Sequence, residues 1–387
     1  MESLLITGSR QRKCNGVERN YSIDFVKFFA IFFVVIIHTN TVSGIEVENM
    51  SGSRIDFLID SFARFAVPFF FITSGYLFMQ KMISIHNNND GSAFKKQLAY
   101  FKKYIIKLVN LYISWFVFYF LFELWINFIE TEKNMEALSS MFKEFIAGFS
   151  LIDIIYYGSN APQQHLWFLL ALIWSIIIVF IFVKLRLLKI LFVISIFLHI
   201  YGLLGQSYSM FYEVSYNTRD ALFFGLFYIA LGAIFAKFNE PIKVFANRIL
   251  NIEYILFLVV LSFLQVMESF VTMKMLNGNG QNYFIATIPL IIVLFLAFIK
   301  HPNVGKGSFI SKIGANAVGI YVSHIFIMEI IRHSMYRFGL SEFQGTVLWR
   351  IIFTPAVFII AYFFYAGLQK GKPRLKTFFR QHVYQSK

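Results

Sequence analysis

Runs in which nearly every position is apolar recur along the chain at about 24–44, 56–80, 104–128, 165–183, 187–204, 221–236, 250–272, 283–299, 314–331 and 348–368. Each is close to the roughly 20 residues a helix needs to cross a bilayer. The pattern predicts an all-α fold, a polytopic membrane bundle of about ten transmembrane helices with both termini cytoplasmic. The stretch 129–164 is longer and mixed in polarity ("EFIAGFSLIDIIYYGSNAPQQ"), which predicts an external loop with an interfacial portion. "HNNNDGS" (86–92) and "NGNGQN" (277–282) are rich in turn formers and read as loops. Residues 1–20 are expected to form a cytoplasmic tail, 21–370 the membrane domain and 371–387 a basic cytoplasmic tail. The first 20 residues carry charge but no apolar core, so the first spanning helix is expected to direct insertion without a cleavable signal peptide.

Composition agrees with this pattern. The 387 residues are 58% hydrophobic and 14% charged, with 50 Phe, whereas a soluble domain is roughly 45–50% apolar and about 25% charged. A net charge of +14 would suggest nucleic acid in a soluble protein. Here the basic residues lie between apolar runs, and the bias of cytoplasmic loops toward Lys and Arg accounts for them. With ten crossings and a cytoplasmic N-terminus, 24 of the 35 Lys and Arg residues fall inside. Seven fall outside (Arg54, Lys133, Lys143, Arg219, Lys274, Arg332 and Arg337), and Lys27, Arg64, Lys107 and Arg350 lie within helices. The expected location is the plasma (inner) membrane, crossed many times. Cys14 is the single cysteine, which excludes internal disulfides and cysteine-built metal sites.

Charged residues inside apolar runs need partners or water, so they mark candidate chemistry. In "SIDFVKFFAIFFVVIIH" (22–38), Lys27 and His38 lie within about 20° of one another around a helix, and Asp24 within about 40° of His38. Lys27 and His38 are then about 16 Å apart along the axis. A substrate entering from the cytoplasm would meet both, although Asp24 and Lys27 also suit interfacial snorkelling. "RFAVPFFFITSGYLF" (64–78) places Arg64 within a span, with Asp60 one turn earlier as a partner. Its Ser74 and Gly75 are small enough to let a helix or a ligand approach. His165 and Trp167 open "HLWFLLALIW", which on its own reads as an aromatic-belt anchor at the outer interface. "IGANAVGIYVSH" (313–324) sets Tyr321 and His324 about one turn apart. Glu268 is a lone acid in the outer half of its helix, either a proton acceptor or a partner of Lys274. Arg219 begins another helix beside Asp220 and pairs most simply with that residue or with Glu213. No nucleotide-binding glycine loop, His-Glu-x-x-His, Cys-x-x-Cys or Gly-x-Ser-x-Gly occurs. Nucleotide-driven pumping and zinc proteolysis are thereby disfavoured, and no metal is expected.

Taken in order, these stretches resemble the acyltransferase-3 family of integral membrane acyltransferases over nearly the whole chain. The resemblance rests on the first helix with Asp24, Lys27 and His38, on "PFFFITSGY", on the basic "KKYIIKLVNLYISW" (102–115), on "HLWFL" and on "GIYVSH". "RFAVPFFFITSGY" and "TRDALFFGLFYIALG" look especially like the branch that includes the membrane part of the vancomycin-resistance serine racemase, and no racemase domain is expected to follow. The resemblance implies transfer of an acyl group, usually acetyl, from cytoplasmic acyl-coenzyme A to a hydroxyl of a cell-surface or lipid-linked glycan. It implies no permanently bound cofactor; acetyl-coenzyme A is a co-substrate, the bilayer is the other partner, and no nucleic acid is involved. His38 aligns with the family's essential histidine, and Lys27 stands where the family carries arginine. Tyr104 and Lys107 stand at two further arginine positions. The candidate catalytic residues are His38, His324 and Glu268, and the candidate donor-binding residues are Lys27, Lys102, Lys103 and Lys107. Asp24, Arg64, Ser74, Gly75, His165, Trp167, Arg219 and Tyr321 would line or support the site. The rival function is a transporter or exporter of a small polar solute or glycan. Such folds often break helices in matched halves, and Pro68, Pro289 and Pro355 show no such pairing.

Overall fold

A computed structural model describes residues 19–40, 46–47, 50–87, 91–158, 164–279 and 283–385. Cys14 and parts of both Asn-rich loops lie outside them. The described residues are helical almost throughout: α1 (Tyr21–Thr39), α2 (Gly52–Ala63), α3 (Ala66–Asn87), α4 (Ala93–Glu130), α5 (Met135–Ala147), α6 (Trp167–Lys184) and α7 (Leu188–Leu204) form the first half. α8 (Leu226–Lys237), α9 (Asn239–Arg248), α10 (Asn251–Phe270), α11 (Thr287–Lys300), α12 (Phe309–Gly314), α13 (Ala317–Arg337) and α14 (Val347–Gln385) follow. A two-residue antiparallel pairing, Glu46–Val47 with Met50–Ser51, joins α1 to α2.

The all-helical bundle agrees with the apolar pattern, but several segments differ in detail. Among the described residues, five helical stretches are long and apolar enough to cross a membrane, or six if α8 and α9, which meet at 90°, count as one broken span. α7 and α11, expected as spans, are shorter apolar helices. The stretch 56–80 is two helices that part at Arg64 and Phe65. Pro68, in the first turn of α3, has no N–H to offer the carbonyl of Arg64, so the chain turns there instead of continuing. The stretch expected at 314–331 likewise divides between α12 and α13. The expected external loop contains α5, whose Met135 and Phe142 are exposed.

The centre of the bundle is the contact of α3 with α8, the most extensive between any two elements. Lipid offers helices little hydrophobic incentive to associate, so close backbone approach must supply the contact energy. Gly75 and Gly232 make that approach possible. A Cβ on Gly75 would lie 2.1 Å from the carbonyl oxygen of Ile229, and one on Gly232 would lie 2.0 Å from that of Ile72. Gly75 thus serves helix packing, the first of the two uses its size allowed, and the Ser74 hydroxyl donates to the Phe70 carbonyl of its own helix.

α1 is held at its beginning by the loop after α11. The side chain of Asn20 caps the Ser22 and Ile23 amides while donating to the Phe298 carbonyl at 2.9 Å. The amide of Tyr21 and the hydroxyl of Ser22 donate to the carbonyls of Pro302 and His301. These bonds fix the depth and rotation of the helix that carries Asp24, Lys27 and His38.

Candidate active site

The last turn of α1 ends abruptly. Asn40 enters the left-handed region at φ 45° and its N–H returns to the Ile36 carbonyl. The neighbouring Thr39 hydroxyl is 2.7 Å from that of Thr354 on α14. His38 is therefore presented from a capped and tethered turn.

Its ring packs against His324 of α13, with centroids 5.2 Å apart and planes tilted by 50°. His324 is completely buried. Its Nδ1 faces the carbonyls of Tyr321 and Ile320 at 2.7 and 3.1 Å. Carbonyl oxygens only accept, so Nδ1 carries the proton and Nε2 keeps its lone pair. That Nε2 is buried and makes no hydrogen bond. A third imidazole, His165, lies in the short turn Gln164–Leu166 that opens α6, its centroid 5.4 Å from that of His324. His165 is 4% exposed, so it is a buried member of this cluster and not an interfacial anchor. The Tyr321 hydroxyl donates to the His165 carbonyl, and the two rings meet at 5.7 Å. Segments more than a hundred residues apart thus bring three histidines and a tyrosine together.

Two guanidiniums flank the cluster. Arg64, in the break between α2 and α3, donates to both carboxylate oxygens of Asp60 at 2.6 and 2.5 Å. Arg219 lies over the indole of Trp167 at 5.1 Å. Asp220, one of the partners expected for it, instead accepts the Tyr156 hydroxyl and caps the Phe223 amide, both at 2.9 Å. Both arginines are within electrostatic reach of His38.

Other expected site residues lie elsewhere. Glu268 is occupied: one oxygen takes the Tyr208 hydroxyl at 2.7 Å and the Ile285 amide at 2.6 Å, and the other takes the Ala286 amide at 2.7 Å. It ties α10 to the start of α11, where a negative charge meets unsatisfied amides at a helix N-terminus. At the opposite end of α1, Asp24 is bonded by Arg19 at 2.6 Å and approached by Lys27 at 3.5 Å. The Asp24 carboxylate holds the Arg19 guanidinium above its ordinary pKa, against a smaller opposing effect of burial. Lys102, Lys103 and Lys107 are exposed along α4, while Tyr104 packs against Phe78. Among the described residues, no group of three His, Cys, Asp or Glu side chains is placed to share a metal ion.

Tyr119 joins the cluster as well, although no sequence motif singles it out. Its ring meets that of His165 edge-on, with centroids 4.9 Å apart, and it is fully buried. The buried residues of α4 are Tyr112, Trp115 and Tyr119, spaced by three and four. This stripe of aromatics with polar tips on one face of an apolar helix was the available signal.

The acyltransferase domain family matches residues 20–366, which includes every residue of the cluster. The chain belongs to the acyltransferase-3 family. The family's model is described as an acyltransferase domain. One similar protein is an amino-acid racemase of Enterococcus faecalis, 23% identical over 358 residues, which cover 89% of this chain and 45% of the relative. A second amino-acid racemase of the same organism is 28% identical over 227 residues, covering 54% and 27% respectively. The chain spans less than half the length of these curated relatives. No solved structure matches it. Within the acyltransferase-3 match, His38, His165 and His324 stand on three widely separated stretches that the fold joins.

Proposed function

We propose that this acyltransferase moves an acetyl group from cytoplasmic acetyl-coenzyme A to a hydroxyl of a cell-surface or lipid-linked glycan, with the chemistry at His38. The observation that carries this reading is the packing of His38 on His324, whose proton is held on Nδ1 by backbone carbonyls. A hydroxyl is a weak nucleophile until a positioned base takes its proton, and imidazole suits that role near neutral pH. His38, half-buried in front of the fully buried His324, is the ring a substrate can touch. The acceptor oxygen attacks the thioester carbonyl carbon as its proton passes to the His38 imidazole. The carbon–sulfur bond then breaks, and the imidazolium returns the proton to the departing thiolate. His324 backs the His38 ring, while the oxygens of Glu268 are engaged at the start of α11. Arg64 and Arg219 favour the oxyanion that develops on the carbonyl.

The direct test is transfer of label from acetyl-coenzyme A to an endogenous glycan in membranes that contain the protein. Label that appears on glycan only when the protein is present supports the proposal. Movement of a solute or glycan across the membrane with no label transferred overturns it.

The donor's phosphates are assigned to the cytoplasmic end of α1, with Lys27 as a point charge, and Lys102, Lys103 and Lys107 on α4 as the surrounding basic surface. Lys27→Ala is expected to raise the KM for acetyl-coenzyme A about tenfold, the equivalent of about 1.4 kcal/mol, while Lys27→Arg keeps most of the affinity. An unchanged KM in Lys27→Ala reduces Lys27 to a partner of Asp24.

This assignment requires both termini inside, as the charge bias also does. On a Cys14→Ser background, single cysteines at positions 95 and 306 are expected to be shielded from an impermeant thiol reagent. Those at 134 and 279 are expected to react from outside. Labelling of position 95 from outside reverses the orientation and removes the proposed donor mouth.

A further inference from the structure

The hydroxyl of Tyr119 makes two hydrogen bonds, both to the backbone of α13. It donates to the Val322 carbonyl at 2.9 Å and accepts from the Phe326 amide at 3.1 Å. Residues 322 and 326 are the acceptor and donor of one helical step, and His324 lies midway between them. One side chain of α4 therefore takes up both polar groups of the step that carries the buried histidine. The edge of the same ring rests on His165 at 4.9 Å. Tyr119, Val322 and His324 are all fully buried, so no solvent is at hand to replace these bonds.

We infer that Tyr119 is a positioning residue for the histidine cluster: its hydroxyl sets the rotation of the α13 turn that aims His324 at His38, and its ring holds His165 against them. Inside the bundle, the carbonyl of Val322 and the amide of Phe326 must be satisfied by protein. Without the hydroxyl the turn keeps only its own helical bonds and loses both hydrogen bonds that tie it to α4, so the His324 ring between them is free to shift. Proton transfer tolerates little misplacement, and a shift of about 1 Å costs about 10²-fold in rate.

The inference rests on the acyl-transfer reading only for its kinetic arm. The test uses the full chain in lipid nanodiscs, wild type and Tyr119→Phe, with two readouts. Imidazole nitrogen NMR, with the His324 signals assigned by their loss in His324→Gln, reports tautomer and ring environment whatever the reaction. In wild type the Nδ1–H tautomer is expected, and in Tyr119→Phe the His324 signals are displaced. The rate of acetyl transfer is expected to fall about 10²-fold with the KM for acetyl-coenzyme A unchanged, a split that a general loss of stability does not produce. Should Tyr119→Phe fail to fold, 3-fluorotyrosine at position 119 keeps the shape, strengthens the hydroxyl as a donor and weakens it as an acceptor. It too is expected to shift the His324 signals. His324 signals that stay in place in the folded variant overturn the inference, as does a wild-type turnover rate. Signals that move in a pair of proteins neither of which transfers acetyl leave the hold of Tyr119 on His324 standing and overturn the proposed reaction instead.

Discussion

Replacing His38 by Ala is expected to lower acetyl transfer about 10²–10⁴-fold, the usual cost of losing a general base, with no loss of membrane-inserted protein. His38 lies near the end of α1, whose attachment depends on the Asn20 cap, the loop after α11 and the contact of Thr39 with Thr354. Its imidazole contributes packing against His324 and little to that attachment. His38→Gln is the sharper variant, because it keeps polarity and approximate size but cannot accept and release a proton near neutral pH. If His38 only fills space beside His324, Gln functions nearly normally; if it is the base, Ala and Gln fail alike at the chemical step while acetyl-coenzyme A still binds. His324→Ala is expected to be less damaging, about 10²-fold, since it removes the group behind the base and not the base. Labelled glycan formed at the wild-type rate by His38→Gln would end the mechanism while leaving the family membership intact.

Gly232→Leu is expected to abolish the folded protein rather than its chemistry. The new Cβ would begin 2.0 Å from the Ile72 carbonyl oxygen, and α3 would have to move away from α8 by roughly 1–2 Å to reach ordinary contact distance. That separation opens the packing of Phe71, Ile72, Tyr228 and Ile229, all fully buried. Overpacking typically costs about 1–3 kcal/mol and occasionally more, and a backbone clash at the central helix contact belongs at the upper end, a large part of the margin of a typical domain. Gly75→Leu meets the Ile229 carbonyl at 2.1 Å and is expected to behave alike. Gly345→Ala, with nothing within 4 Å of the added carbon, is the control. Size-exclusion profiles and thermal unfolding in detergent measure the effect. A Gly232→Leu protein with the profile and unfolding temperature of wild type would show that the two helices do not meet as described.

Much of the architecture was legible in the chain because hydropathy acts residue by residue. A run without charge cannot rest in water, and a charge cannot rest in lipid, so the helices and the isolated charged residues announce themselves. What pattern could not convey was where a run breaks. The stretch 56–80 is apolar enough to read as one helix, yet the missing amide of Pro68 and the polar demands of Arg64 and Asp60 divide it. Likewise 314–331 divides at the turn of Ala315 and Asn316, which hydropathy does not register. Glu268 looked available because a sequence lists an acid without its hydrogen bonds, and the amides that occupy it come from residues 285 and 286 on another helix.

The candidate site shows the same division. Sequence alone determined that this is a helical membrane protein of the acyltransferase-3 type, and that His38, His324, His165, Arg64 and Arg219 are polar groups set in apolar surroundings. Each is a local property, carried by a residue type and its immediate neighbours. Only the tertiary structure decided that His38, His165 and His324 share one cluster, that Gly75 serves a helix and not a ligand, and that Tyr119 grips the turn bearing His324. Those facts depend on distances between segments up to 286 positions apart. The rotation of each helix about its axis sets such distances, and that rotation is fixed by backbone contacts such as those at Gly75 and Gly232 and by hydrogen bonds such as that of Tyr119, none of which hydropathy encodes.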